Sequence, residues 1–285
     1  MQPIRKRSGS VKIGNTDMYY VSFGSGSKAL IVLPGLSDGL ATVKGKTWVL
    51  SLPYRKFSRD FTVYLFSRKN DMPENYSIRD MADDQILAMK SLGIDQAYVL
   101  GVSQGGMIAQ YMAIDYPGIV KRLTLAVTAS NANPVVKETV SHWIELAKRG
   151  DHTALMIDTA EKMYSQKYLQ KNRKFFPLLA GFTRPRTYDR FLKNALAILK
   201  FDCRSELSKI SCPAFIIAGE NDHTVGNDAA SDLNSRIANS TLYIYEGLGH
   251  GAFEEAKDFY DRVLDFCSRD IPACGDCRRE HPASI

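Results

Sequence analysis

Short apolar runs alternate with helical segments through the first half of the chain, and this alternation constrains the fold more than any other feature. The runs at residues 29–33, 61–66 and 96–100 contain few polar residues, which is typical of strands buried on both faces. Between the last two runs, Ser77 and Asp80 form a capping-box signature that begins a helix. Strands separated by helices in this way predict an α/β fold with a mostly parallel, doubly wound sheet.

The second half of the chain interrupts this alternation. Between the predicted strands at 123–127 and 214–218, the sequence shows helical patterns and almost no strand signal. Such an insertion must lie outside the sheet, most naturally over one edge of it. The domain organisation that we predict is an α/β core at residues 1–130 and 206–270 and an inserted helical cap at residues 131–205.

The C-terminal residues 271–285 are polar and raise the question of a metal site. Cys267, Cys274, Cys277 and His281 have ligand-like spacing. Zinc sites usually need paired knuckles in a compact fold, and the sequence shows no second pair. We therefore predict a disordered tail, and we expect neither a metal site nor a cofactor.

Composition places the chain among ordinary globular proteins. It has 285 residues, of which 45% are hydrophobic and 24% are charged, and it contains no apolar run long enough to span a membrane. The N-terminus is basic but lacks the apolar region of a secretory signal. The five cysteines fit a reducing compartment better than a disulfide framework, so we predict a cytoplasmic protein. The sequence does not specify an oligomeric state.

Residues 101–105 (GVSQG) place a serine at the joint between a strand and a helix. This G-x-S-x-G pattern can form a nucleophile elbow, which needs a strand before it, a helix after it and small residues on both sides. All three are present around Ser103. The alternative interpretation is a serine in a simple turn or at a helix N-cap.

A serine nucleophile needs a general base, and the chain offers five histidines as candidates. Three of them lie in the predicted cap or tail: His142, His152 and His281. His250 lies in the glycine-rich loop 247–253 (GLGHGAF), between the last predicted strand and the last predicted helix. A base held there would lie over the C-terminal edge of the parallel sheet, where such folds bind ligands. We interpret His223 as structural or pocket-lining.

The base in turn needs a carboxylate that orients it. Residues 219–222 (GEND) follow a predicted strand and offer two carboxylates. Asp222 is favoured because it lies further out on the loop, and Glu220 remains the alternative.

The chain order Ser103, Asp222, His250 is the order of the α/β-hydrolases. The chain resembles a serine hydrolase of this superfamily with a helical cap, of the carboxylesterase-like kind, over roughly residues 18 to 268. The segments that carry the resemblance, besides the elbow, are residues 29–35 (ALIVLPG), 76–94, 116–123 and 249–254.

The resemblance implies roles for the backbone around the serine. The N–H of Gln104, at the start of the elbow helix, should donate to the oxyanion, and the resemblance adds the N–H of Leu36 as the second donor. Two segments depart from the family. Pro34 stands where the family usually has His, and residues 67–75 (SRKNDMPEN) replace the usual Asp-x-Arg-Gly-x-Gly-x-Ser stretch.

The predicted cap carries the positive charge of the chain. Residues 131–205 contain 14 Lys and Arg against 7 Asp and Glu, a net charge of +7, and the rest has 23 against 24. We interpret this excess as a solvated helical surface. The alternative is attraction of an anionic substrate or of an acidic membrane surface. No recognition motif accompanies the charge, which disfavours nucleic acid. Aromatic residues predicted to line an apolar pocket are Trp48, Trp143 and Phe182.

Together these features predict a serine hydrolase that cleaves a carboxylic ester of a small, partly apolar molecule. Cleavage of a thioester, lactone, amide or C–C bond would use the same residues, and so these alternatives stay open. A non-enzymatic small-molecule receptor on the same fold is a second class. Haloalkane dehalogenase and epoxide hydrolase are disfavoured, because those resemblances require a carboxylate nucleophile where Ser103 stands.

Overall fold

An eight-stranded sheet forms the centre of the protein, of which a computed structural model describes residues 5–269. Its strands are β1 (Arg5–Ile13), β2 (Thr16–Gly24), β3 (Lys28–Leu33), β4 (Phe61–Lys69), β5 (Ala97–Val102), β6 (Val120–Ala126), β7 (Ala214–Gly219) and β8 (Ser240–Tyr245). Their order across the sheet is β1-β2-β4-β3-β5-β6-β7-β8. The pairs β1–β2 and β2–β4 are antiparallel, and all others are parallel.

Helices cover both faces of this sheet because successive strand side chains point to opposite sides. In β3, Ile31 and Leu33 join one buried cluster, whereas Leu30 and Val32 join another. The core helices on the first face are α2 (Ile78–Ser91), α3 (Gln104–Asp115) and α9 (Ala229–Arg236). On the second face lie α11 (Phe259–Ser268) and the 3-10 turn Arg55–Arg59. The predicted fold class, a mostly parallel doubly wound α/β sheet, is confirmed.

A group of helices separates β6 from β7. They are α4 (Pro134–Lys148), α5 (His152–Met163), α6 (Gln166–Asn172), α7 (Phe176–Thr183) and α8 (Asp189–Leu199). We call this group the cap helices. They lie inside the predicted cap at residues 131–205, and the exact domain boundaries stay a prediction.

The structure shows three helical features that the sequence analysis did not specify. A short helix, α1 (Thr47–Ser51), follows the loop after β3. In the cap, α7 is a separate helix that the helical pattern alone did not distinguish. After His250, where the sequence predicted one last helix, the chain forms two, α10 (Ala252–Glu255) and α11.

Residues 5–269 contain neither a candidate membrane span nor a candidate metal site. No helix there combines the length and apolar character needed to cross a membrane. In the same range, no three His, Cys, Asp or Glu side chains are grouped to hold a metal ion. Cys203, Cys212 and Cys267 are free thiols. The predicted tail, with Cys274, Cys277 and His281, lies outside the described residues.

Candidate active site

Ser103 occupies a strained backbone position between β5 and α3. Its φ is 53° and its ψ is −119°, a region that residues with a side chain rarely adopt and that costs about 1–3 kcal/mol. The surrounding structure holds it there. The N–H of Ser103 donates to the Ala126 carbonyl at 2.9 Å, and the Ser103 carbonyl accepts from the Thr128 hydroxyl at 2.7 Å. The sharp turn places the serine at the C-terminal edge of the sheet, between β5 and α3.

The two glycines of the elbow are required by close packing. A Cβ at Gly101 would lie 2.4 Å from the Gly105 carbonyl oxygen, and one at Gly105 would lie 2.0 Å from the Leu33 carbonyl oxygen. Neither separation is sterically allowed. The strand, the turn and the helix can therefore meet around Ser103 only if both positions lack a side chain.

His250 and Asp222 form a buried hydrogen-bonded pair. The Nδ1 of His250 lies 2.8 Å from Oδ2 of Asp222, and both side chains are almost fully buried. An ionised carboxylate only accepts, so Nδ1 carries the hydrogen and Nε2 of the neutral ring is left with its lone pair. The other carboxylate oxygen, Oδ1, accepts from the N–H groups of Thr224 at 2.9 Å and Val225 at 3.0 Å. The backbone therefore fixes which oxygen faces the imidazole.

The alternative acid and base residues lie elsewhere. Glu220 is exposed, and its Oε2 accepts from the N–H of Gly247 at 2.9 Å. His223 is exposed on the loop and does not line the cavity described below. The two cap histidines bind within the cap: His142 lies 3.7 Å from Asp158, and Nε2 of His152 lies 3.1 Å from the Thr183 hydroxyl.

The N–H groups of Leu36 and Gln104 lie on the two segments that flank the serine. Leu36 begins a 3-10 turn after β3, and Gln104 is the first residue of α3. The turn packs on the serine, since a Cβ at Gly35 would lie 3.3 Å from Cβ and 3.8 Å from Oγ of Ser103. In the described part of the chain, neither N–H donates to a protein acceptor. Both are therefore free to bind a ligand oxygen.

A buried arginine that the sequence analysis did not identify connects these two segments. Arg68 is completely buried, and its Nη2 donates to the Pro34 carbonyl at 2.8 Å and to Oε1 of Gln104 at 3.0 Å. The backbone N–H of Arg68 donates to Oδ2 of Asp38 at 3.0 Å. Burial lowers the pKa of Arg68 to about 10, partly offset by Asp38. The two departures from the family pattern, Pro34 and residues 67–75, which begin at the end of β4, are thus joined by one side chain.

Arg190 of α8 anchors the cap to the same place. Its guanidinium donates to Oδ2 of Asp38 at 2.6 Å, to the Asp38 carbonyl at 2.9 Å and to the Arg68 carbonyl at 2.8 Å. One helical turn later, the Asn194 carbonyl accepts from Nε2 of Gln104 at 2.8 Å. Burial alone would raise the pKa of Asp38, but Arg190 and Arg68 outweigh it and hold this pKa below its ordinary value. The cap and the turn that carries Leu36 are therefore coupled through charge.

Replacing Arg190 by Met should destabilise the protein strongly. The change leaves the buried Asp38 carboxylate without its closest cation, and breaking a buried ion pair costs about 3–5 kcal/mol. Urea unfolding of Arg190→Met at pH 7 measures this loss in the free energy of unfolding. The exposed Arg186 on the preceding loop is the matched control, and Arg186→Met should change it by less than about 0.5 kcal/mol.

The pH dependence of this loss follows from the lowered pKa of Asp38. A carboxylate with a lowered folded pKa stabilises the protein above its unfolded pKa, and this stabilisation is lost as the pH falls through the folded pKa. The difference between wild type and Arg190→Met should therefore be full at pH 7 and shrink as the pH falls below about 3.9, the ordinary value for aspartate, toward the lower folded pKa of Asp38. A difference that stays constant down to acid pH would show that Arg190 acts by packing alone.

A largely apolar cavity of about 530 Å³ opens between the core and the cap. Ser103 and His250 both line it, together with Leu36. Its apolar wall comes from the cap helices α4, α5 and α8, from the segment around α1 and from the residues after His250. Those wall residues include Val49, Leu50, Pro53, Trp143, Met156, Met163, Phe191 and Phe253. The volume falls within the usual range of small-molecule sites.

Of the three aromatic residues predicted to line the pocket, the structure brings one to the cavity. Trp143 lines it, and the indole N–H donates to Asp158 at 2.7 Å. Trp48 is 75% exposed and Phe182 is 80% exposed, and neither is a lining residue. Trp48 faces outward from α1, where the Lys6 ammonium lies 3.6 Å from its ring. Phe182 occupies the outer side of α7, because Phe176 and Ala180 fill the inner side.

Comparison with known proteins supports the same fold assignment. The family model described as "alpha/beta hydrolase fold" matches residues 46–257. An "AB hydrolase superfamily protein" of Bacillus subtilis (strain 168), YisY, is 30% identical over 206 residues, covering 69% of this chain and 75% of that protein. "Serine hydrolase BPHL" of Mus musculus is 25% identical over 277 residues, covering 90% of this chain and 85% of that protein.

Solved structures extend the comparison to the whole arrangement of helices and strands. MGS-M2, an α/β hydrolase enzyme from a Medee basin deep-sea metagenome library, has a TM-score of 0.84 at 23% identity and covers 92% of this chain and 98% of its own. The enol-lactonase of Burkholderia xenovorans LB400 has a TM-score of 0.77 at 20% identity and covers 92% of this chain and 100% of its own. At these identities the structures support the fold alone. Because the family model spans most of the sequence, the chain belongs to the α/β-hydrolase family.

Proposed function

We propose that this hydrolase cleaves carboxylic esters of small, partly apolar molecules through an acyl-enzyme at Ser103. One observation carries the proposal: a serine on a strained elbow shares a cavity with a histidine whose Nδ1 is paired to a buried carboxylate. This arrangement supplies a nucleophile, a general base and the group that orients the base. Relatives named as hydrolases support the general class of reaction.

Each group in the proposed mechanism has one role. Nε2 of His250 takes the proton from the Ser103 hydroxyl while Oγ attacks the ester carbonyl carbon. The carbonyl oxygen becomes an oxyanion that the N–H groups of Leu36 and Gln104 bind. His250 then gives the proton to the leaving alcohol, and the C–O bond breaks. A water molecule, deprotonated by His250, attacks the acyl-enzyme and releases the carboxylic acid.

The cavity supports a partly apolar substrate without a carboxylate or phosphate. Its lining residues contain no Lys or Arg within the described part of the chain. The positive charges of the cap therefore do not contact a ligand held beside Ser103. This favours the solvated-surface interpretation of the basic cap over recognition of an anionic substrate in the cavity.

The acyl-chain profile of p-nitrophenyl esters tests this proposal. We expect kcat/KM to rise about fourfold for each added methylene until the cavity is filled, since one buried methylene contributes about 0.8 kcal/mol. The maximum should fall at about four to eight acyl carbons for a site of this size. Labelling by a fluorophosphonate, mapped to Ser103 by mass spectrometry, should block the activity. Absence of both hydrolysis and labelling would contradict the proposal.

A further inference from the structure

The cavity beside Ser103 contains one acidic side chain, Glu254, that the proposed mechanism does not use. Glu254 lies on α10, four residues after His250, and is a lining residue of the cavity. Its surface is accessible although protein atoms surround it, as expected for a side chain on the wall of an open cavity. Among the lining residues that the structure describes, there is no Lys or Arg to balance its charge.

The hydrogen bonding of Glu254 leaves one carboxylate oxygen without a protein partner among residues 5–269. The Tyr164 hydroxyl of the cap donates to Oε2 at 2.5 Å, and no other protein donor within the described residues reaches the carboxylate. No Lys or Arg nitrogen of residues 5–269 lies within 4.0 Å of it, since Glu254 takes part in none of the ion pairs found there. A carboxylate has about four lone-pair positions, so most of its accepting capacity is unused.

Its neighbour, Glu255, already holds the cap against the histidine loop. Glu255 accepts from the N–H of Ser165 at 2.9 Å and from the Ser165 hydroxyl at 2.6 Å. The N–H of Gly251 adds a bond of 2.6 Å to the Met163 carbonyl. The cap is therefore attached to this loop by several bonds besides the one between Tyr164 and Glu254. The Tyr164 bond occupies only part of the accepting capacity of Glu254.

The protein surroundings of Glu254 disfavour its charge. Burial raises its pKa and the nearby Glu255 adds to this effect, whereas the Tyr164 hydrogen bond and the charge of His250 oppose it without cancelling it. The accessible carboxylate can be hydrated, and a ligand that displaces this water from the apolar cavity must compensate the charge with a cation or with donors. Tyr164, Phe253 and Tyr260 line the same cavity, and aromatic rings also attract cations. A ligand with an ammonium group would supply the missing charge.

From these contacts we propose that Glu254 forms a subsite for a positively charged ammonium group of the substrate. The preferred substrate is then an ester that combines an apolar body with a primary or quaternary amine. The ammonium group pairs with the free oxygen of Glu254 while the ester carbonyl lies against Ser103. This inference deepens the proposed function and rests on it for the identity of the reaction.

Matched pairs of esters test the subsite through a ratio of rates. The first pair is butanoylcholine and its neutral isostere 3,3-dimethylbutyl butanoate, and the second is p-nitrophenyl 6-aminohexanoate and p-nitrophenyl heptanoate. For wild type, kcat/KM should be at least about 10-fold higher for the cationic member of one pair. In Glu254→Gln this preference should fall by about 10- to 100-fold, the effect of losing one hydrogen bond to a charged group.

Tyr164→Phe is the matched control, because it removes the one protein partner of Glu254 and keeps the carboxylate. It should retain the preference for the cationic ester within about threefold. If Glu254 only anchored the cap through Tyr164, the two variants would alter both members of a pair alike. That result, or a wild type that does not prefer the cationic ester in either pair, would contradict the proposed subsite. It would not contradict the proposed ester hydrolysis.

A binding measurement keeps the subsite testable apart from turnover. Calorimetry on the Ser103→Ala protein compares hexylammonium with 1-hexanol at pH 7. Hexylammonium should bind at least about 10-fold more tightly, and Glu254→Gln in the same background should remove this difference. Equal binding of the two probes overturns the subsite. Tighter binding of hexylammonium without hydrolysis of any ester would instead support the subsite and reject the proposed reaction.

Discussion

Replacing Ser103 by Ala should lower kcat for p-nitrophenyl ester hydrolysis by about 10⁶-fold. The side chain is the proposed nucleophile, and no other group replaces it, because a triad acts as a unit and loss of the serine removes nearly all of its effect. The variant should still hydrolyse the ester about 10³–10⁴-fold faster than the uncatalysed reaction in water, because substrate binding and the two N–H donors remain. Steady-state kinetics of wild type and variant on one ester, with burst-phase titration of active sites, measures the change.

The cavity offers a matched control for this substitution. Ser37 also lines the cavity, one residue beyond Leu36, and has no place in the proposed mechanism. Ser37→Ala should retain activity within about 10-fold. Equal losses in the two variants, or an active Ser103→Ala, would remove Ser103 from the role of nucleophile.

A second variant separates loss of chemistry from loss of folding. Ser103→Gly removes the same hydroxyl but relieves the backbone strain, since glycine adopts a φ of 53° without cost. It should be as inactive as Ser103→Ala and more stable than wild type by about 1 kcal/mol. Thermal unfolding of the three proteins measures this. A stable, inactive glycine variant would show that the strain serves the presentation of the hydroxyl.

The sheet could be predicted from sequence because its strands carry their own signal. The apolar runs at 29–33, 61–66 and 214–218 fall within β3, β4 and β7. Strands buried on both faces must be continuously apolar, so that their pattern is independent of what packs on them. The capping box at Ser77 and Asp80 is present as predicted, with both reciprocal hydrogen bonds formed. Such local signals do not depend on the rest of the fold.

The cap was less predictable because its helices pack on one another rather than on a fixed sheet. The inward-facing residues of α7 are Phe176 and Ala180, whereas Phe182 of the same helix is exposed. The sequence contains apolar residues on both sides, and only tertiary contacts decide which side is buried. The same reason explains why Trp143 lines the cavity and Trp48 does not.

The network around Arg68 could not be predicted from either of its two segments alone. Pro34 and residues 67–75 looked like independent departures from the family pattern. In the structure, Arg68 bonds the Pro34 carbonyl, and Asp38 joins both segments to Arg190 of the cap. These contacts join residues far apart in sequence, and no local pattern encodes them. The sequence shows that Asp38, Arg68 and Arg190 carry opposite charges, but it does not show that they lie close together.

Replacing Asp222 by Asn should lower kcat by about 10⁴-fold, the second largest effect that we expect. Oδ1 of Asp222 is held by the N–H groups of Thr224 and Val225, so the amide oxygen of Asn must take that place. Its NH₂ group then faces Nδ1 of His250 and donates to it. The imidazole is forced to carry its hydrogen on Nε2, and it can no longer accept the proton of Ser103. The geometry of the site is kept while the base is lost.

Glu220→Gln is the matched control, because Glu220 is the other acid on the same loop and was the alternative partner of the histidine. Its Oε2 accepts only from Gly247, and the oxygen of Gln can replace it in that bond. Activity should stay within about threefold of wild type, measured as kcat on the same ester. If Glu220→Gln lost more activity than Asp222→Asn, Glu220 would orient His250 during turnover. The loop would then have to rearrange from the hydrogen-bonded pair seen in the structure, because the described contacts place the Asp222 carboxylate alone against Nδ1.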